Sequence, residues 1–149
     1  ATDLPTRPHR LEAARAQGAE TVPADEGREA TTILELTGGR GLDAAVEAAG
    51  ENGAVDAAVD AVRPGARVVL AGIPAEDRIS FRASPARRKG LSLVLSRRMK
   101  HTYPRAIRLA EGGHVDVGRL VTDRFPLAEA GAALAAAATR GGLKVIVEL

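Results

Sequence analysis

The chain has 149 residues, enough for one domain with one core, and a net charge of +2. It has no Cys, which excludes disulfides and thiolate metal sites and makes the cytoplasm the expected location. Two Phe, one Tyr and no Trp leave too few aromatics to stack bases, so nucleic acid is not an expected partner, and no run reaches the ~18 apolar residues of a membrane span.

In chain order, Thr6 to Gln17 has helical spacing of Leu11 and Ala14, with Gly18 as its C-terminal stop. Ala19–Val22 reads as a short strand, and Glu26 to Leu36 as a helix closed by Thr37-Gly38-Gly39. Ala44–Ala48 is a buried strand running into a small-residue turn that ends at Gly50. A helix over Gly53–Val62 puts Val55, Ala58, Val59 and Val62 on one face. Arg63-Pro64-Gly65 is a turn, and Arg67–Ala71 is the next strand, followed by Gly72 and Ile73. Ile79 to Phe81 reads as a short extended piece and Leu91–Ser96 as another buried strand. Tyr103–Glu111 is a helix capped by Thr102 and stopped by Gly112-Gly113, and the run Arg87-Arg88-Lys89 is a solvated helix face. This alternation predicts an α/β fold with a doubly wound parallel sheet.

After Gly113 the rhythm changes. A strand over Val121–Phe125, an Ala-rich helix over Leu127–Thr139 and a strand over Leu143–Glu148 place a domain boundary near His114. Residues 1–113 are expected to form one partial domain, and residues 114–149 look like a piece that completes something else.

Ligands of open parallel sheets lie outside the carboxyl ends of the strands. Ala49 and Gly50, then Ala71, Gly72 and Ile73, are therefore the expected cofactor positions. In dinucleotide-binding folds the second strand ends in an acid that accepts hydrogen bonds from the ribose hydroxyls and disfavours a 2′-phosphate, which selects NAD. Asp3 suits that role, although a plain terminal acid suits the position too. The run Gly39-Arg40-Gly41-Leu42-Asp43-Ala44 matches the glycine fingerprint in letters only, because it follows a helix and precedes a strand. It reads as a helix stop and turn, so the pyrophosphate loop is expected to be missing from this chain.

Six segments then occur in order: TGGRGLD at 37–43, VEAAG at 46–50, RPG at 63–65, VLAGIP at 69–74, SRRMKHTYPRAI at 96–107 and LVTDRFPL at 120–127. Together they resemble the C-terminal part of a zinc-dependent medium-chain dehydrogenase, nearest the sorbitol (polyol) dehydrogenase branch. The resemblance implies a Rossmann-like sheet without its first strand and helix, and a C-terminal segment that returns to a missing catalytic domain. It implies Asp3 at the adenosine ribose, Arg10 beside the adenosine, and Ala49, Gly50, Ala71, Gly72 and Ile73 around the nicotinamide of NAD. Arg97 and Arg98 would lie near the nicotinamide and substrate; Met99 stands where the family commonly has tyrosine. The implied parent is an enzyme that moves hydride from a secondary alcohol or polyol to NAD with zinc, as a homodimer or homotetramer.

No catalytic or metal-ligating residue is assigned to this chain, since His101 and His114 are distant in sequence and poor in neighbouring ligands. The expected chain is thus an inactive fragment. Two other readings remain open at this level: a zinc-independent, quinone-reductase-like member of the same superfamily, and a short non-catalytic protein-interaction module.

Overall fold

The computed structural model describes residues 1–149 except Glu26, Arg98 and Lys100. Its elements are β1 (Thr2–Asp3), α1 (Pro8–Ala16), β2 (Val22–Pro23), α2 (Glu29–Leu36), β3 (Leu42–Glu47), α3 (Asn52–Ala61), β4 (Val62–Leu70), α4 (Ala83–Lys89), β5 (Ser92–Leu95), α5 (Tyr103–Glu111), β6 (Val121–Pro126), α6 (Ala130–Thr139) and β7 (Lys144–Glu148). All strand pairs are parallel: β1 with β2, β3–β4–β5 in that order, and β6 with β7. The chain divides into two compact units, one of Thr2–Pro5 with Val22–Arg98, the other of Ala1, Thr6–Thr21 and Met99–Leu149.

The first unit has its core under the sheet β3–β4–β5. Val55 from α3 packs with Val62, Ala66, Val68 and Leu70 of β4, and with the half-buried Leu42, Ala45, Ala58, Ile79, Leu91 and Leu93. Of the predicted inward positions, Val55 and Ala58 of α3 and Val62, which opens β4, pack in this core, and Val59 is fully buried. On the opposite face of the sheet, Val46, Val69 and Val94 lie in register across the three strands, and Val46 and Val94 are exposed.

Several boundaries move for physical reasons. The strand expected at Ala19–Val22 lies at Val22–Pro23, because Val22 and Pro23 pair with Thr2 and Asp3. Strand β4 starts at Val62, directly after α3. The Arg63–Gly65 turn survives inside it as an irregularity, with register passing from Leu42–Val62 to Ala44–Arg67 and Gly65 at φ +74°. Ile79 to Phe81 is not a strand; Ile79 is anchored by packing on the core. The expected start of the second helix, Glu26, lies outside the described residues.

Lys89 is not part of a solvated face. Its ammonium donates to the carbonyls of Val59 (3.0 Å), Asp60 (2.7 Å) and Val62 (2.8 Å). Helix α3 passes straight into a strand without a glycine stop, and the lysine supplies donors to carbonyls at that helix end.

In the second unit, β6, α6 and β7 form another parallel β-α-β arrangement, so the tail continues the earlier rhythm. Gln17 Nε2 donates to the Asp116 carbonyl at 3.4 Å, and Arg119 donates to Ala16 O at 3.4 Å. Helix α5 has the predicted bounds, but Thr102 makes no side-chain cap bond: its φ and ψ of −90° and −25° are already helical.

Candidate cofactor site at the strand ends

The ends of β3, β4 and β5 are stitched together by backbone hydrogen bonds. Ala71 and Gly72 donate their N–H groups to the Glu47 carbonyl at 2.8 and 3.0 Å, and Ser96 donates to Leu70 O at 2.8 Å. The carboxylate of Glu47 turns back on its own turn, where Oε1 accepts from Ala49 N at 2.6 Å and Gly50 N at 2.7 Å. Glu47 is 4% exposed and is the one buried charged side chain among the described residues. Burying a carboxylate is costly unless it is well hydrogen-bonded, and these two N–H groups supply that compensation.

Both turns need glycine. Gly50 has φ +76°, and a Cβ there would run into the backbone of Ile73. A Cβ on Gly72 would run into Gly50 N and Cα, and would lie 2.7 Å from Glu47 Oε2. The turn after β3 and the turn after β4 are thus in direct backbone contact.

Beside them is a cleft of about 470 Å³, lined by Ala71, Gly72, Ile73 and Pro74 on one side and by Leu95 and Ser96 at the end of β5. Ile73 is 73% exposed at its mouth. The N–H groups of Ala49, Gly50, Ala71 and Gly72 are all consumed internally. Contacts from those four residues to a ligand therefore fall to carbonyl oxygens and small apolar surface.

The sequence-predicted residues Ala49, Gly50, Ala71, Gly72 and Ile73 come together here. Asp3 ends β1 in the separate two-stranded sheet; its Oδ1 accepts from Leu4 N at 2.7 Å and its carbonyl from Ala24 N at 2.9 Å. Arg10 is a half-buried residue of α1, in the other compact unit. Arg97 is exposed just beyond β5, and Arg98 lies outside the described residues. The Gly39–Ala44 run is a helix stop, with Gly38, Gly39 and Gly41 all at positive φ and Gly39 N bonded to Leu34 O at 2.7 Å.

Sequence reasoning missed Glu47. The signal was present, because Glu47 directly follows the small apolar run Ala44–Val46, and an acid buried there must find partners. Among the described residues, no three His, Asp or Glu side chains converge, so these residues do not fit a zinc ion.

Residues 5–112 match the zinc-binding dehydrogenase family. The chain belongs to that family. It is 33% identical over 127 residues to the sorbitol dehydrogenase of Bacillus subtilis, a match covering 85% of this chain and 35% of that enzyme. The alcohol dehydrogenase of Thermus sp. ATN1 superposes on the whole chain with a TM-score of 0.87 at 27% identity, over 43% of its own length. An alcohol dehydrogenase of E. coli CFT073, solved with NADH, shares the fold over 98% of this chain and 42% of its own, with a TM-score of 0.80 at 22% identity. The chain thus spans about a third of the curated relative's length. The α/β fold with parallel sheets matches the C-terminal, Rossmann-like part of these dehydrogenases.

Proposed function

We propose that this chain is the cofactor-binding portion of an NAD-dependent alcohol or polyol dehydrogenase whose zinc is held by residues outside the chain. The observation that carries this reading is the pair of glycine turns joined by Glu47 beside an open cleft at the ends of β4 and β5. Such strand-end crevices are where open α/β sheets hold their ligands.

In this reading, Asp3 accepts hydrogen bonds from the adenosine ribose and Arg10 lies beside the adenosine. Ala49, Gly50, Ala71, Gly72 and Ile73 flank the nicotinamide, and Arg97 and Arg98 border the substrate. NAD, when bound, supplies the hydride acceptor for a secondary alcohol or polyol carbon. The chain's own part is to hold the ring against a rigid backbone surface and, through Ile73, to keep water from one edge of it. Residues 1–113 serve the cofactor, and residues 114–149 return to the catalytic domain. The parent works in the cytoplasm as a homodimer or homotetramer. The chain by itself is catalytically silent.

The test is a titration of the full-length protein with NADH and NADPH, followed by fluorescence, for the native sequence and for Asp3→Ser. The native protein is expected to prefer NADH, and Asp3→Ser to lose about tenfold in NADH affinity while the preference narrows. Native protein that binds neither nucleotide overturns the reading.

A further inference from the structure

We propose that Glu47 is a positioning residue for the cofactor: its side chain fixes the turn after β3 while its main chain fixes the turn after β4. This rests on the cofactor reading given above.

One residue holds both surfaces. Oε1 takes the N–H groups of Ala49 and Gly50, and the Glu47 carbonyl takes those of Ala71 and Gly72. The second carboxylate oxygen lies 2.7 Å from where a Gly72 Cβ would be, so the acid and the glycine share one space. Among the described residues no basic side chain pairs with Glu47; its partners are backbone amides. A β-strand made for packing alone would carry an apolar residue at this buried position, as Leu70 does at the paired position of β4. The acid instead pairs with the Ala49 and Gly50 amides of the tight turn and holds that turn against its own strand end. It also points the carbonyls of both turns in fixed directions. A ligand that docks on those carbonyls then meets a surface already ordered, and pays less to order it on binding.

What the side chain needs is therefore an acceptor at the Oε1 position, not a charge. Glutamine supplies that acceptor, whereas alanine removes it and aspartate is one methylene too short to reach both amides. The experiment compares Glu47→Ala, Glu47→Asp, Glu47→Gln and a core control, Val68→Ala, in the full-length protein. NADH affinity is read by fluorescence, and exchange of the Ala49 and Gly50 amides by hydrogen–deuterium exchange.

The expected result is that Glu47→Ala and Glu47→Asp weaken NADH binding by about tenfold or more, with fast exchange at Ala49 and Gly50. Glu47→Gln restores affinity to within about threefold, and Val68→Ala, although less stable, stays within about threefold as well. If Glu47→Ala fails to fold, Glu47→Asp against Glu47→Gln carries the comparison. Unchanged affinity in the alanine and aspartate variants, or a glutamine variant as weak as aspartate, overturns the proposal. Native protein that does not bind NADH defeats the cofactor reading and this cofactor role with it. In that case the amide exchange separates the two ideas: lost protection in the alanine or aspartate variant shows that the clamp exists without its ligand, and retained protection rules out the clamp as well.

Discussion

In β3–α3–β4, the side chains of Val55, Val59, Val62 and Val68 are at most 2% exposed, whereas in β6–α6–β7 only Ala133 is buried. Both arrangements are parallel strands joined through a helix. What separates them is side-chain size. Helix α3 buries two valines, Val55 and Val59, while α6 offers alanines, and its single large side chain, Leu134, is 74% exposed. Alanine removes too little area from water to hold a helix firmly on two strands. Shared connectivity therefore does not imply a shared role. The unit with its own core can hold two turns in fixed contact, and that unit has the candidate site.

Placing a valine at Gly72 should break this comparison most severely. The new side chain would drive the two turns apart, at a cost of about 3 kcal/mol in urea unfolding. A Gly72→Val protein as stable as the native one would mean that the turns do not touch. A paired measurement sharpens the contrast between the two units. Val68→Ala should cost about 2 kcal/mol by the area and cavity it gives up, whereas Leu134→Ala should cost less than about 0.5 kcal/mol. Equal losses would contradict the difference in burial.

The smallest effect concerns Asp43 near the start of β3. Hydrogen bonds from Arg63 and Arg40 hold its carboxyl below the ordinary value of 3.8. A depressed value means that the contribution to stability is present above pH 3.8 and fades as pH falls through the lower, folded-state value. Asp43→Asn should lower stability slightly above pH 3.8 and leave it unchanged below the folded-state value, which flattens that part of the acid limb; the loss is small because the pairs are solvent-exposed. An acid limb identical in the two proteins would show that the pairs contribute nothing.

Much of this was legible in the residues. Apolar spacing marks α1 and α3, and the glycine stops mark where α2 and α5 end. The small residues after β3 and β4 announce a place where something can approach the backbone. The parallel pairing of the tail was not legible, since β6, α6 and β7 have little apolar patterning to say which face meets which. Lys89 was misread because a lysine in a basic run looks solvated until the end of another helix is placed beside it.

The sequence by itself determined the α/β class, most of the elements and the glycines that permit tight turns, because period, propensity and positive φ are local properties. Only the tertiary structure decided that Glu47 is buried and holds both turns, that Lys89 ends α3, and that Gly72 touches Gly50. Those outcomes depend on which backbone groups lack partners once the strands are side by side, and no local pattern records that.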